Sequence, residues 1–311
     1  MNKKHILVLM GGKSSEYEVS LNSGKQVVKN LDKSKYKVTP FVIGKSGKFN
    51  VKKLIDLKPD VVFIVIHGKY GEDGCIQGML EMFDIPYIGS RVSASAIGMD
   101  KIIFRNLMKV NKINIPEYVE YNKDNSIDKI TSILKSYPFF IKPHNQGSSV
   151  GMSKVDNLQE LKSGLKNAFK YSDTLLVDKY IEGIELTCAI LGNKHPYALP
   201  IIEIRPHMSK FFDYKSKYTE GGSEEIVPAK ISENLAKEIS ELSLKIYKII
   251  GCRGFARVDF IYSKKRLYVL EINTIPGLTT ASLFPKAAKS AGISYSQLLD
   301  KVIGYANESV I

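Results

Sequence analysis

The sequence predicts a mixed α/β and α+β protein: an N-terminal doubly wound unit on a parallel sheet, followed by two further α+β units. Three observations carry this. The first ninety residues alternate short, continuously apolar strands with helical stretches, the pattern of a parallel sheet covered on both faces. The strands of the second half are spaced as antiparallel neighbours. The chain has 311 residues, too many for one small core.

In chain order, "HILVLM" (5–10) reads as a buried strand ending in Gly11-Gly12, and a helix follows to about Leu31. Strands "YKVTPFVI" (36–43) and "DVVFIVIHG" (60–68), helix "CIQGMLEMF" and "IPYIGS" complete a unit spanning 1–90. Ligands of such sheets sit beyond the carboxyl ends of the strands, which places 11–18 and 67–73 on one functional rim. A second unit, 91–178, opens with the helix "DKIIFRNLMKVNK" and runs through "IPEYVEY", a helix near 126–136, "PFFIKP", a helix at 157–170 and "TLLVDKYI". A third, 179–311, holds "ELTCAILG", "YALPIIEI", "GFARVDFIY" and "RLYVLEIN", with a long helix at 232–250 and C-terminal helices. The polar, aromatic segment 206–225 reads as a long loop, and loops of that length are usually functional.

Composition narrows the class. With 44% hydrophobic and 25% charged residues the chain is an ordinary globular protein. Its net charge of +13 is spread along the chain and forms no basic tail or helix, so a nucleic-acid partner is not expected. Cys75, Cys188 and Cys252 are widely spaced, without a CxxC, and read as buried, reduced thiols in a reducing compartment. The apolar run near the N-terminus is too short for a leader peptide, and "VVFIVI" is far too short to span a membrane. The expectation is a cytoplasmic protein without a membrane partner.

Two motifs carry chemistry. With "ARVDFIY" and "LYVLEIN" read as hairpin partners, alternation puts Arg257, Asp259 and Ile261 on one face and Leu267, Val269, Glu271 and Asn273 on one face. Asp259 faces Glu271 when paired positions sum to 530, which calls for an odd loop of three or five residues. Two acids and an amide then form an all-oxygen site suited to Mg²⁺; a surface hairpin with scattered polar residues is the competing reading. The following "NTIPG" favours the site, because such a turn can offer backbone N–H groups to an anion. In "KPHNQGSSVGMSKV", a strand delivers Lys142 to a glycine-bracketed hydroxyl loop that can cradle a phosphate, although "GSSVG" alone also fits a flexible turn. It is not a Walker A loop: the GKS strings at 12–14 and 44–46 have Leu7 and Thr39 where the upstream glycine belongs, and GxGxxG is absent. Lys101 in "MDKIIF" reads by itself as a surface charge. His67 stands at a strand end, where a lone histidine is more often structural than catalytic. Glu18 could hold an ammonium group near a helix start, where acids are also common for electrostatic reasons.

The order of these motifs is more telling than any one of them. "EVSLNSG", "HGKYGEDGCIQG", "MDK", "GSSVGMSKV", "EGIELT", "RGFARVDF" and "LEINTIPGLTTASL" closely resemble the D-alanine–D-alanine ligases, a family with the ATP-grasp fold, and the likeness spans nearly the whole chain. The resemblance implies that two D-alanine molecules are joined with ATP, through a D-alanyl phosphate, for peptidoglycan precursors. By position, Lys101, Lys142, Ser148 and Ser149 would bind the ATP phosphates. Asp178, Lys179, Ile181 and Glu185 would hold adenine and ribose. Asp259, Glu271 and Asn273 would ligate two Mg²⁺ (or Mn²⁺) ions, and Arg257 with the Gly277 N–H would form the oxyanion hole. Ser282 and the Leu283 backbone would receive the carboxylate of the second D-alanine. Glu18 would hold the ammonium of the first, with His67 nearby. Lys217 and Tyr218 would close from 206–225 as a lid, and the family suggests a homodimer.

Two positions depart from the family pattern. Gln146 stands where these enzymes often have Glu, and Asp178 where a longer Glu is common. The "KY" pair at 217–218 resembles the dipeptide-forming members more than those that add D-lactate. Two alternatives stand beside this reading: a ligase for another acid–amine pair, such as D-alanyl-D-lactate, and a nucleotide-binding regulator or nucleic-acid binder that has kept the fold.

Overall fold

The computed structural model describes residues 3–207, 221–306 and 308. Its first sheet is parallel, in the order β2-β1-β3: β1 (Lys4–Gly11) lies between β2 (Tyr36–Ile43) and β3 (Val61–Ile64), and a parallel bridge joins Val62 to Tyr87. Helices α1 (Tyr17–Asn30), α2 (Val51–Asp56) and α3 (Cys75–Met82) accompany it. The apolar run of β1 is continuous because both of its faces are covered. Ile6, Val8 and Met10 enter one apolar cluster, while Leu7 and Leu9 enter another on the opposite side.

Two helices, α4 (Val92–Met99) and α5 (Lys101–Val110), lead into the second part. Asp100 caps α5, its carboxylate accepting from the N–H groups of Ile102 and Ile103. The next elements are β4 (Tyr118–Asn122), α6 (Asp128–Leu134), β5 (Phe139–Pro143), β6 (Ser153–Val155), α7 (Leu158–Ala168) and β7 (Thr174–Lys179). They form an antiparallel sheet in the order β4-β7-β5-β6, with its own apolar cluster.

The third part contains β8 (Ile184–Leu191), β9 (Tyr197–Ala198), β10 (Ile202–Pro206), β11 (Ser223–Ile226), α8 (Glu233–Ile250), β12 (Phe255–Ser263), β13 (Arg266–Asn273), α9 (Leu283–Ser290) and α10 (Tyr295–Tyr305). Its antiparallel sheet runs β11-β10-β8-β12-β13, with β9 beside β8. The expected long helix is α8, capped by Ser232 and ended by Gly251 at φ 76°. Helices α9 and α10 roof the N-terminal parallel sheet, so that Phe284, Leu298 and Val302 share a cluster with Ile6 and Phe63. Helix α5 packs Phe104 and Met108 against Val258 and Phe260 of β12.

Three expectations need correction. Cys188 and Cys252 are buried as expected, but Cys75, at the exposed start of α3, is not; the other two concern the third part. The β12–β13 loop is not odd: Ser263 pairs with Arg266 across the two-residue turn Lys264-Lys265, whose φ values are 48° and 61°. Positive φ at both central residues is the type I′ geometry that suits strand twist. The ladder therefore starts at a sum of 529, and a β-bulge at Leu270 raises it to 530, so Asp259 still pairs with Glu271. The bulge also changes which side chains share a face. Leu267 and Val269 point into the core with Ile272, while Glu271 and Asn273 take the opposite, cavity-lining face. Third, the expected loop 206–225 is framed by paired strands, Pro206 lying opposite Ser223. Residues 208–220, with Lys217 and Tyr218, lie outside the described residues. Among the described residues no helix is long and apolar enough to cross a membrane.

Candidate active site

Two cavities adjoin at β13. The larger, about 740 Å³, is bounded by the start of α1, the strand-end loop at His67, the start of α5, the 146–148 loop and the segment from Asn273 to Leu283. The smaller, about 370 Å³, lies between the two antiparallel sheets and is lined by Lys142, Ser149, Asp178, Lys179, Ile181, Glu185, Asp259 and Glu271. Glu271 lines both.

The metal candidates come together as the motif requires. Asp259 and Glu271 are direct cross-strand partners, and Arg257 stands opposite Asn273. Each charge has a cationic neighbour. Arg257 donates in a fork from Nε to Asp259 Oδ1 and from Nη2 to Oδ2, both at 2.8 Å. Thr187 adds a hydroxyl to Oδ1 at 2.5 Å, and Lys101 Nζ lies 3.4 Å from Glu271 Oε2. Asn273 Oδ1 accepts from the Ile275 N–H at 3.2 Å. Among the described residues no three His, Cys, Asp or Glu side chains gather as a metal group. The set here is two carboxylates and an amide, hard oxygen donors that fit Mg²⁺ or Mn²⁺.

The phosphate candidates surround this hairpin. Lys101 is buried at the start of α5 and donates to Gln146 O at 2.7 Å, which ties it to the glycine loop. In that loop Ser148 and Ser149 have φ of 46° and 58°, with Gly151 at 72°. Such positive values are costly for non-glycine residues and mark an over-determined loop. Turns from Gly147 O to Val150 N (3.1 Å) and from Ser149 O to Met152 N (3.3 Å) hold it. Gln146 sends its amide to Tyr171 O at 3.2 Å. Lys142 is buried, its Nζ 2.8 Å from Asp178 Oδ2. Burial pushes this ammonium below the ordinary lysine value; Arg105 pushes the same way, and Asp178 and Glu271 oppose. Of the residues expected at adenine and ribose, Ile181 and Glu185 line the smaller cavity. Lys179 lines it too, but its ammonium donates to Ser136 O and Oγ. Asp178 is held from below by Lys142 and Arg105.

At the far end of the larger cavity, a Cβ on Gly277 would come within 2.8 Å of Ser282 Oγ, so a larger residue there would push the Ser282 side chain aside. Ser282 precedes α9, whose first residue is Leu283, and its Oγ accepts from Thr279 N at 3.0 Å. A helix start next to a tight turn is a good receptor for a carboxylate.

At the α1 end the structure departs from the sequence expectation. Glu18 is largely exposed at the cavity mouth and pairs with Lys45 at 3.0 Å. Glu16 is the acid that faces inward. It is buried, accepts from Ser148 Oγ, and lies so close to Gly68 and Gly147 that a Cβ on either would meet its Oε2 at 2.6 Å. Helix periodicity held the signal: Glu16, Ser20, Ser23 and Val27 are all buried at a helical spacing, and a residue two positions from Glu16 turns roughly 200° away. His67 is buried between Ser23 Oγ (3.0 Å from Nε2) and Glu72 Oε1 (3.2 Å from Nδ1). Burial lowers its pKa, but the hydrogen bond and charge of Glu72, aided by Glu16, win and raise it.

Comparison with known proteins identifies the family. Residues 107–304 match the family described as "D-ala D-ala ligase C-terminus", and 5–58 and 52–90 match "D-ala D-ala ligase N-terminus". A D-alanine--D-alanine ligase of Carboxydothermus hydrogenoformans is 43% identical over 303 residues, covering 95% of this chain and 96% of that protein. The D-alanine--D-alanine ligase from Bacillus anthracis complexed with ATP superposes with a TM-score of 0.84 at 39% identity, covering 98% and 97% of the two chains. The VanG D-Ala:D-Ser ligase from Enterococcus faecalis gives 0.84 at 35% identity, covering 98% and 100%. With this fold, this site and these matches along nearly its whole length, the chain belongs to the D-alanine–D-alanine ligase family and has its ATP-grasp fold.

Proposed function

We propose that this chain is an ATP-dependent ligase that joins two D-alanine molecules into D-alanyl-D-alanine, through a D-alanyl phosphate, for peptidoglycan precursor synthesis. The carrying observation is the adjacency of the two cavities at Glu271, which brings a nucleotide site and an amino-acid site into contact. In this reading the smaller cavity takes ATP, with Ile181, Glu185 and the Lys179 strand around the base and ribose. Lys101, Lys142 and the Ser148–Ser149 loop hold the phosphates. Asp259, Glu271 and Asn273 would hold two Mg²⁺ or Mn²⁺ ions, which when bound spread the charge of the transferring phosphoryl group.

Glu16 replaces Glu18 in our assignment as the acceptor of the first D-alanine's ammonium, with His67 and Ser148 beside it. A carboxylate is a poor acyl donor because its oxygen leaves badly. Held in line, it attacks the γ-phosphorus of ATP, ADP departs, and the acyl phosphate carries a good leaving group. The second D-alanine is held by its carboxylate at Ser282 and the Leu283 N–H. Its amine attacks the acyl carbon, the oxyanion is met by Arg257 and the Gly277 N–H, and phosphate leaves as the nitrogen gives up a proton. One such donor is typically worth about 3 kcal/mol. Asp259 holds Arg257 in a fork, so the guanidinium is oriented before substrate arrives. The acyl phosphate must be kept from water, and we assign that to a lid carrying Lys217 and Tyr218. We further propose that the enzyme works in the cytoplasm as a homodimer, without a nucleic-acid or membrane partner.

The test is ADP and product analysis with ATP, Mg²⁺ and D-alanine. D-Alanine-dependent ADP release with formation of the dipeptide is expected. No stimulation by D-alanine would overturn the reading, and preferential use of D-lactate or D-serine as acceptor would transfer it to a neighbouring ligase.

A further inference from the structure

Behind the smaller cavity lies Arg105, a buried cation that the ligation scheme does not use, joined to two residues that line the cavity. Arg105 sits on α5 one turn after Lys101 and is fully buried. Its Nη2 donates to Asp178 Oδ2 at 3.1 Å, and the same oxygen takes Lys142 Nζ at 2.8 Å. Arg105 Nε and Nη1 and Asp178 Oδ1 are buried without a hydrogen-bond partner. Two cations therefore share one carboxylate. Lys101 and Glu271 nearby form a balanced pair, and two other acids of the cavity wall are already held, Asp259 by Arg257 and Glu203 by Arg205. Arg105, Lys142 and Asp178 by themselves carry one net positive charge, with Glu271 and Glu185 on the same cavity wall, and a buried cation excess of this kind favours an anionic ligand. Lys142 and Asp178 line the cavity, whereas Arg105 does not.

Resting on the ligase reading, we propose that Arg105 is a positioning residue for the nucleotide. It shares Asp178 with Lys142, so that the carboxylate does not neutralise Lys142 alone, and it ties α5, with Lys101 at its head, to β7. Asp178 takes one of the three N–H groups of the Lys142 ammonium, and the others face an anionic ligand. Arg105 sets the spacing of the two phosphate lysines through a carboxylate that it alone reaches from α5. The single contact to Oδ2 asks for a cation in this place more than for a full guanidinium fork.

The experiment measures ATP steady-state kinetics and calorimetric binding of ADP with Mg²⁺ for the wild type, Arg105→Met, Arg105→Gln, Arg105→Lys and Arg105→Met in an Asp178→Asn background. Removing the charge should raise the KM for ATP by about ten- to a hundredfold, the range for a hydrogen bond to a charged group, with a far smaller change in kcat. Arg105→Lys should restore most of the affinity. In the Asp178→Asn background Arg105→Met should add less than it does alone, because the two act as one unit. Should Arg105→Met fail to fold, Arg105→Gln against Arg105→Lys carries the same contrast. An ATP KM within twofold of wild type in Arg105→Gln, or equal behaviour of the Gln and Lys variants, would overturn the proposal. A wild-type protein that binds no ADP would instead overturn the nucleotide reading itself.

Discussion

Asp259 and Glu271 stand directly opposite one another on the cavity face of β12–β13, although the hairpin between them turns on only two residues. A bulge at Leu270 makes up the difference, and it leaves Glu271 as the residue common to both cavities. Each acid meets a cation of its own, Arg257 for Asp259 and Lys101 for Glu271.

Glu271→Gln should keep the fold and remove turnover. The amide cannot replace a carboxylate as a hard anionic ligand, and Lys101 loses its counter-charge. We expect at least a ~100-fold fall in ADP release with a melting temperature close to wild type. Near-normal activity would take Glu271 out of the metal role.

Glu16 and Glu18 are separable. Glu16→Gln should raise the KM for the first D-alanine and lower kcat, together about 100-fold, because a buried charge-assisted contact is lost. Glu18→Gln should be nearly silent, since its pair with Lys45 is exposed. Kinetics of both variants at varied D-alanine decide it, and the reverse pattern returns the role to Glu18.

His67 gives a pH signature. Its folded pKa is raised above the ordinary 6.5, burial being overcome by Glu72 and Glu16. The stabilisation from the protonated ring is therefore fully present below about 6.5 and is lost as pH rises through the higher folded value. Glu72→Gln should destabilise by about 1–3 kcal/mol at pH 6 and by clearly less at pH 9, read from urea midpoints. A pH-independent difference would mean that the ring is not charged by this pair.

Gly277→Ala tests the acceptor end. The added methyl meets Ser282 Oγ at 2.8 Å and must push that hydroxyl off its contact with Thr279 N, at the proposed carboxylate site. The KM for the second D-alanine should rise about tenfold or more, with the ATP KM unchanged, because the smaller cavity is not touched. Equal shifts in both constants would argue for a general distortion.

Much of this protein was legible without coordinates. The continuous apolar run Ile6–Met10 announced a strand covered on both faces, and Ile6 and Leu7 indeed enter different clusters. Lys142, Asp259, Glu271 and Asn273 could be singled out because strand ends and glycine-rich turns punctuate the chain around them, whereas Lys101 came from the family resemblance alone. Less legible was which of two nearby acids faces inward. Glu16 and Glu18 are alike in charge and length; the helical spacing of Glu16 with Ser20, Ser23 and Val27 is a faint signal, and the partners across the cavity, Ser148, Gly68 and Gly147, fix the choice.

What the sequence determined by itself is the order of strands and helices and the residue types gathered at their ends, because side-chain period and turn chemistry are local properties of the chain. What the tertiary structure decided is register and convergence. The bulge at Leu270, the inward turn of Glu16 and the sharing of Asp178 by Arg105 and Lys142 each depend on residues far apart in the chain. Long-range packing and charge balance select among arrangements that local preferences leave equally open.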